Sequence, residues 1–268
     1  MIDDISGIGK DLAEKVMRLK SQAGQAAQDE LQADPRNDIT ENTVTKSNAL
    51  ARAKYGLSLP AKRVFEMLVS KMNPLGMQFN QFGTIDLTLY ATEYAEATGT
   101  PLNTAYRDLK ASLDALERER IIIDEGDYIV SRPLIFKSKY HKSEGHIIAS
   151  FHPEFMPHLL HLSKEFTKYP LLEVLKFRSQ YAWRLYEMLM SVKAQKKPVL
   201  SLSVEDFREK MGIPDSYIWS RVQDVILKSI NEIETKTEFD VSLKKTKKGR
   251  AFAWLEFTIE KQKQPKLL

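Results

Sequence analysis

Residues 241–257 read VSLKKTKKGRAFAWLEF, a pattern typical of a β-hairpin with a basic tip. The predicted tip runs from Lys244 to Arg250 and holds five cations in seven residues. On its C-terminal side apolar and polar residues alternate, so one face of that strand can be buried. The apolar positions are Ala253, Leu255, Phe257 and Ile259. The hairpin is therefore expected to combine a buried base with a positively charged end.

A helical pattern starts near Tyr217, directly before this hairpin, and carries Arg221 and Lys228. A helix followed by a basic hairpin is the plan of a winged helix. In that plan a recognition helix enters a DNA groove, and the hairpin, or wing, contacts flanking phosphates. The alternative is that the lysines only keep a hairpin tip soluble. The tip alone does not separate these two interpretations.

Composition narrows the class of protein. The chain has 268 residues, enough for two ordinary domains, with a formal charge of +4 and a pI of about 8.9. It contains no cysteine, which excludes structural disulfides, thiol nucleophiles and zinc ribbons. No apolar run approaches the roughly 20 residues of a membrane span, and Met1 to Lys10 lacks a signal pattern. A cytoplasmic protein without membrane contact is predicted.

The second half of the chain repeats the first. Gly99-Thr100-Pro101 and Gly212-Ile213-Pro214 lie 113 positions apart, and at that offset three apolar positions of the next helix coincide. These pairs, all predicted to face inward, are Tyr106 with Trp219, Leu109 with Val222 and Leu113 with Ile226. Two unrelated domains rarely share a Gly-x-Pro turn, the apolar positions of the following helix and the order of helices and strands. The predicted fold is therefore α+β, with two tandem winged-helix (helix-turn-helix) domains related by internal duplication.

The predicted domain limits follow from changes in polarity, periodicity and proline content along the chain. Residues 1–43 form a polar N-terminal extension with one weak helical stripe, made of Leu12, Val16 and Leu19. Residues 44–152 form an N-terminal winged-helix domain and residues 153–268 a C-terminal one. The junction is placed in the irregular, proline-containing stretch 151–172. A single long helix is predicted from Leu171 to Lys193.

Two hairpins are predicted in the first half. The first surrounds Asp124-Glu125-Gly126-Asp127 and takes the place of the basic wing in the repeat. Its acidic tip would repel phosphate, so it is expected to point away from DNA or to contact a protein. The second pairs residues 134–137 with 146–151 around a loop that carries Lys137, Lys139 and Lys142. These lysines could replace the acidic hairpin as a phosphate contact.

The exposed N-terminal face of a recognition helix reads DNA. In the C-terminal domain Arg221 is the candidate for base reading, because its planar fork suits the O6 and N7 of guanine. Ser216, Tyr217 and Lys228 are predicted to hold phosphates, and Ser220 and Asp224 share their exposed face. The wing residues predicted to add sequence-independent affinity are Lys244, Lys245, Lys247, Lys248 and Arg250.

In the N-terminal domain the equivalent positions are Asn103, Thr104, Arg107 and Lys110. Asn103 has the donor and acceptor pair that suits adenine. The alternative for each residue in both domains is an ordinary surface position.

Enzymatic and metal functions have little support in the sequence. His158 and His161 fall on one helical face, but no third ligand has convincing spacing, so no metal site and no cofactor are predicted. The chain lacks the Gly-x-x-x-x-Gly-Lys-Ser/Thr phosphate loop. No His-apolar-His triplet accompanies a tyrosine, which argues against a rolling-circle nicking enzyme. A binding protein rather than an enzyme is predicted.

Several segments resemble a known family. The stretch 175–189, LKFRSQYAWRLYEML, resembles the most recognisable segment of the iteron-plasmid replication initiators, a helix read as Ser-x-Tyr-x-x-Arg-Leu-Tyr-Glu-Leu-Leu. Ser47–Leu50 followed by Leu57–Arg63 resembles the opening of that family, and Val225–Ile233 is a third match. The resemblance covers about residues 40–260. The extension before Val44 has no clear match.

The resemblance implies a plasmid replication initiator with two tandem winged helices. Such a protein binds directly repeated, double-stranded origin sites (iterons) as a monomer, melts adjacent AT-rich DNA, and recruits the host initiator and replicative helicase. Its dimer binds an inverted repeat and represses its own gene. The main DNA readout lies in the C-terminal recognition helix, and the N-terminal domain carries the dimer contact, which would suit the acidic hairpin here. The alternatives are a dedicated winged-helix transcriptional repressor and, in a third class, a Mg²⁺-dependent nicking enzyme.

Overall fold

The computed structural model describes Glu14 and residues 42–72, 79–124, 126–160, 165–196 and 198–262. The weak helical stripe predicted in the polar extension lies outside these residues, as does His161. No helix in the described ranges is long and apolar enough to cross a membrane.

The first half contains two helix-and-sheet layers and an extra hairpin. Its elements are β1 (Thr43–Ser47), α1 (Asn48–Ala51), α2 (Leu59–Ser70), β2 (Leu87–Tyr90), α3 (Ala91–Thr98), α4 (Leu102–Arg118), β3 (Arg120–Asp124), β4 (Ile129–Pro133), β5 (Ile135–His141) and β6 (His146–Phe151).

The second half begins with short elements and then repeats part of this order. It contains a 3₁₀ turn (Pro153–Phe155), α5 (Met156–Leu159), β7 (Phe166–Pro170), α6 (Leu171–Leu175), α7 (Gln180–Lys193), β8 (Val199–Ser203), α8 (Val204–Met211), α9 (Trp219–Lys236), β9 (Phe239–Lys248) and β10 (Ala251–Lys261).

Glycine ends the equivalent helices α3 and α8. Gly99 and Gly212 are the C-cap residues, with φ of 67° and 62°, a left-handed conformation that glycine adopts without strain. At the other end of α8, the Ser203 hydroxyl accepts a hydrogen bond from the Asp206 amide at 3.0 Å. These local signals were readable in the sequence, and the turns between α3 and α4 and between α8 and α9 follow from them.

The sheets confirm the duplicated winged helix. In each half a three-stranded antiparallel sheet follows the same plan: β2-β6-β5 in the first and β8-β10-β9 in the second. β8 therefore corresponds to β2, and the hairpin β9–β10 corresponds to β5–β6. The recognition helices of the two units are α4 and α9.

The acidic hairpin is not the counterpart of the basic wing, contrary to the prediction. β3 and β4 pair with each other as a two-stranded sheet inserted between α4 and β5, and Ile122 of β3 also forms an antiparallel bridge with Lys54. The wing of the first unit is β5–β6, which continues to His141 where the sequence suggested a loop from Lys137. Alternating polar residues in β5 concealed the strand, since both its faces are partly solvated there.

The prediction of one helix from Leu171 to Lys193 is wrong. The chain leaves helical geometry after Leu175, and the Ser179 hydroxyl caps a new helix by accepting from the amides of Tyr181 and Ala182 at 3.2 and 3.4 Å. The region predicted to be irregular contains β7, which pairs antiparallel with β1. Nothing local in the sequence announces this pairing of segments more than 100 residues apart.

Helix α7 is the centre of the molecule. Every residue from Ala182 to Val192 is buried, so the helix has no solvated face. It packs against α1 and β7 on one side and against β8, α8 and α9 on the other. The recognition helix α9 is thus supported directly by the segment that resembles the initiator family.

A buried ion network joins α7 to the first half. The Glu187 carboxylate contacts Lys46 of β1 and Lys62 of α2, the latter at 2.9 Å. Glu66 lies 2.7 Å from Lys46 and 2.6 Å from Lys62. All four side chains are buried. Burial lowers the pKa of Lys46 to about 8 and that of Lys62 well below its ordinary value.

Candidate nucleic-acid interface

The exposed face of α9 gathers most of the residues predicted for the second unit. Ser220, Arg221, Asp224 and Lys228 are all exposed, and helical spacing of about 100° per residue puts them on the side opposite the core. Ser216 is exposed in the loop before the helix, and Tyr217 is half-buried there. The inward positions predicted, Val222 and Ile226, are fully buried.

Arg221 is oriented by a neighbouring ring. Its guanidinium carbon lies 4.0 Å from the centre of the Tyr217 ring, a cation–π contact that restricts the side chain without using its hydrogen-bond donors. In the described part of the chain no carboxylate pairs with Arg221, so its planar fork stays available to a ligand. This stacking gives Tyr217 a role in addition to the predicted phosphate contact.

Arg208 positions the loop that carries Tyr217. Its guanidinium donates to the carbonyl oxygens of Pro214, Asp215 and Tyr217, each at 2.9 Å. Three carbonyls held by one side chain give the turn before α9 a defined shape. The sequence analysis missed this residue, because an arginine on α8 has no local pattern that points to a loop.

The lysines of the second wing lie along a strand rather than at a tip. Lys244 to Lys248 belong to β9, and only Gly249 and Arg250 form the turn. Strand alternation then sorts the cations by face. The Nζ atoms of Lys245 and Lys247 lie 5.1 and 5.0 Å from the centre of the Phe252 ring. Lys244 is on the opposite face, 3.0 Å from the Glu256 carboxylate.

An aromatic pair fixes this wing against the recognition helix. Trp219, the first residue of α9, stacks on Phe252 of β10 with ring centres 5.0 Å apart and planes at 30°. Lys245 also donates to the Gln223 side chain at 3.3 Å. Trp219 is half-buried and packs against the core, as the predicted inward position requires, and it also forms the junction of helix and wing. These contacts hold Lys245 and Lys247 next to the exposed face of α9.

The first unit has the same junction with different residues. Tyr106 of α4 is 37% exposed, not inward as predicted, and Ala105 takes the core position. Its ring lies against Gly145 in the turn of the first wing, where an added Cβ would come within 2.2 Å of the Tyr106 Cε1 atom. Tyr106 and Trp219, related by the offset of 113, thus both join a recognition helix to its wing.

The predicted contacts of α4 are also exposed together. Asn103, Arg107 and Lys110 share the outer face, while Thr104 is half-buried at its edge. The Asn103 side-chain oxygen accepts from the Thr104 amide at 2.8 Å, which uses one of its two lone pairs. Of the first wing's lysines, Lys137 is bound to Asp86 at 2.7 Å, whereas Lys139 and Lys142 are exposed. The first wing therefore offers fewer free cations than the second.

Comparisons with known proteins agree with this geometry. Residues 43–190 match the family model described as "Initiator Replication protein, WH1", and residues 203–259 match "Initiator Rep protein, WH2". The two matches cover most of the chain. This protein belongs to the initiator replication protein family. The first match takes in the first winged-helix unit and continues through most of α7, and the second takes in α8, α9 and the wing β9–β10.

Individual relatives are distant. A "Replication initiation protein" of Escherichia coli is 27% identical over 238 residues, which cover 86% of this chain and 73% of that protein. An "Uncharacterized 27.6 kDa protein" of Escherichia coli is 26% identical over 56% of this chain and 67% of that protein. The crystal structure of Pi initiator protein in complex with iteron DNA matches with a TM-score of 0.66 at 23% identity. That match covers 84% of this chain and 99% of that one, and it supports the fold.

Proposed function

We propose that this initiator-family protein binds repeated plasmid origin sites, the iterons, as a monomer and starts replication there. The observation that carries the proposal is the paired arrangement of helix and wing in one chain. Each unit presents an exposed recognition helix, α4 or α9, next to a lysine-bearing wing. Two such surfaces joined through the buried α7 suit a repeat that spans two grooves of one DNA duplex.

The two units are proposed to contribute unequally. The C-terminal unit, residues 153–268, supplies the main sequence readout through Arg221 and the main phosphate grip through the wing from Lys244 to Arg250. The N-terminal unit, residues 44–152, adds contacts from Asn103, Thr104, Arg107 and Lys110. The difference in free cations between the two wings supports this division, because affinity for DNA scales with the phosphates neutralised.

The remaining steps are proposed from family membership. They are opening of AT-rich DNA, recruitment of the host initiator and replicative helicase, and repression of the initiator's own gene by a dimer on an inverted repeat. These steps place the protein in the bacterial cytoplasm on plasmid DNA. The acidic hairpin is the proposed dimer contact, since it exposes Tyr128 and Ile129 at 73% each. A dedicated transcriptional repressor remains the alternative, because it needs the same DNA surface.

A footprint on the DNA upstream of the gene tests the proposal. We expect one chain per repeat, protecting tandem sites of about two helical turns near an AT-rich tract. Protection of a lone palindrome by a dimer, with no tandem sites, would favour the repressor. Protection of neither would reject both.

Arg221→Ala tests the readout residue. We expect a loss of about 1–3 kcal/mol in binding free energy and weaker discrimination at one base position, because a bidentate contact to guanine disappears. The measurement is a competition assay with single-base variants of the site. Arg178→Ala, an exposed arginine before α7, is the matched control and should bind as the wild type does. Normal binding and discrimination by Arg221→Ala would show that another face of α9 reads DNA.

A further inference from the structure

The turn of the first wing collects three metal-ligating side chains. His141 ends β5 and His146 begins β6, and the two residues face each other in register. Their rings stack with centres 4.9 Å apart and planes at 13°. Glu144, in the turn between them, places one carboxylate oxygen 3.8 Å from His141 Nδ1 and the other 3.4 Å from His146 Nδ1. Among the described residues, ligand atoms of these three lie within 4.8 Å of one another.

His146 supplies an independent sign that a ligand belongs here. The residue is only 5% exposed, and its Nδ1 atom has no hydrogen-bond partner in the described part of the chain. A buried polar atom without a partner is costly, and such atoms are uncommon in folded proteins. This nitrogen faces the Glu144 carboxylate at a distance too long and too poorly aligned for a good hydrogen bond.

The backbone around the cluster is well defined. The Gly145 amide donates to the His141 carbonyl at 2.9 Å, and Gly145 has a φ of 63°, which closes the turn tightly. Tyr106 of α4 covers Gly145, and the Tyr90 ring lies 5.0 Å from that of His146. Two of the ligands are therefore held by strand pairing. The side chains of His141 and Glu144 are 49% and 60% exposed and are free to adjust.

We propose that His141, Glu144 and His146 form a binding site for a divalent transition-metal ion, with Zn²⁺ the best match. Two imidazoles and one carboxylate form a ligand set known for zinc, with a fourth position open to water. Ca²⁺ and Mg²⁺ fit poorly, because they prefer oxygen ligands. Tetrahedral zinc with bonds of roughly 2.0–2.2 Å needs ligand atoms about 3.3 Å apart. The proposal requires the two exposed side chains, His141 and Glu144, to rotate so that the cluster reaches that spacing.

Helical spacing in the sequence marks only His158 and His161, so this site has no signal there. His158 Nδ1 instead lies 2.9 Å from the Ser47 hydroxyl. In a hairpin, residues five positions apart become cross-strand neighbours when the turn between them holds four residues. That relation could be used only after the strand register was known. The site does not depend on the proposed function.

Calorimetric titration of the full, tag-free, chelator-treated chain with zinc chloride tests the proposal. We expect one strong site per chain and a higher melting temperature in zinc. His141→Gln and Glu144→Gln should each weaken binding at least about 10-fold, since loss of even a second-shell partner has that effect. Both side chains are exposed, so folding should survive, and circular dichroism checks this.

Two control variants locate the site. His152→Gln makes the same replacement outside the cluster, and Lys142→Gln changes the turn without removing a ligand; both should bind zinc as the wild type does. Absence of zinc binding to the wild type would overturn the proposal. So would equal binding by His141→Gln and the wild type, or an equal loss in His152→Gln.

Discussion

Glu187→Gln is expected to lower the free energy of unfolding by about 3–5 kcal/mol, the largest effect of any single substitution considered for this protein. The substitution keeps the shape of the side chain and removes one negative charge from the centre of the molecule. Lys46 and Lys62 would then share a single carboxylate, that of Glu66, and Arg184 would lose the carboxylate that it contacts. Urea unfolding followed by circular dichroism measures the change.

The size of this effect follows from burial. Glu187 has no exposed surface, and besides the two lysines it contacts Arg184 and accepts from the Tyr55 hydroxyl at 2.8 Å. Burial alone would raise the pKa of Glu66. The charges of Lys46 and Lys62 outweigh burial and lower that pKa. The two lysines therefore strongly favour an ionised carboxylate beside them. An uncompensated positive charge in such a site costs far more than one at the surface.

Matched variants separate charge from shape. Glu260→Gln, the same replacement at an exposed position of β10, should change stability by less than about 0.5 kcal/mol. Adding Lys46→Met to Glu187→Gln removes one cation as well and should recover part of the loss, a coupling that a double-mutant cycle measures. If Glu187→Gln unfolds at the same urea concentration as the wild type, the network does not hold the two halves together.

Replacing all five wing cations by glutamine is expected to flatten the salt dependence of DNA binding by at most roughly four to five units of log affinity per log salt concentration, the value for five full phosphate contacts. The positions are Lys244, Lys245, Lys247, Lys248 and Arg250. Each cation that neutralises a phosphate releases a condensed counterion. The slope of log affinity against log salt concentration therefore reports the number of cation–phosphate contacts. Fluorescence anisotropy over a salt series, with specific and unrelated duplexes, gives both slopes. An unchanged slope would show that the wing does not touch DNA.

The two faces of the wing provide an internal control. Lys245 and Lys247 lie on the side of Phe252 and Trp219, facing the recognition helix, whereas Lys244 and Lys248 lie on the other side. The double variant at 245 and 247 should flatten the slope by about two units. The double variant at 244 and 248 removes the same charge but should have a smaller effect, because Lys244 already pairs with Glu256. Equal effects would contradict this orientation.

Much of the fold was readable from local patterns. The glycine caps at Gly99 and Gly212, the buried stripe with Val222 and Ile226, and the alternation of Leu255 and Phe257 each depend on residues a few positions apart. The internal duplication was readable for the same reason, since each half carries its own local signals. The exposed face of α9 followed directly, because helical periodicity decides which side of a helix faces solvent.

Pairings between distant segments were not readable. The acidic tip from Asp124 to Asp127 and the turn at Gly145 both look like hairpin turns, and only sheet order shows that the second belongs to the wing. Two lysines, Lys245 and Lys247, looked like part of a loop until strand pairing placed them beside Phe252. In each case several local solutions are nearly equal in energy, and tertiary packing selects one of them.

The sequence by itself determined the family, the two winged-helix units and the residues that the recognition helix α9 exposes. Those features arise from short-range periodicity, caps and a family-specific segment at 175–189. The tertiary structure alone decided which hairpin is the first wing, how Glu187 neutralises lysines from β1 and α2, and how His141 meets His146. These contacts join residues brought together by chain folding, and their energies depend on burial and register that no local pattern contains.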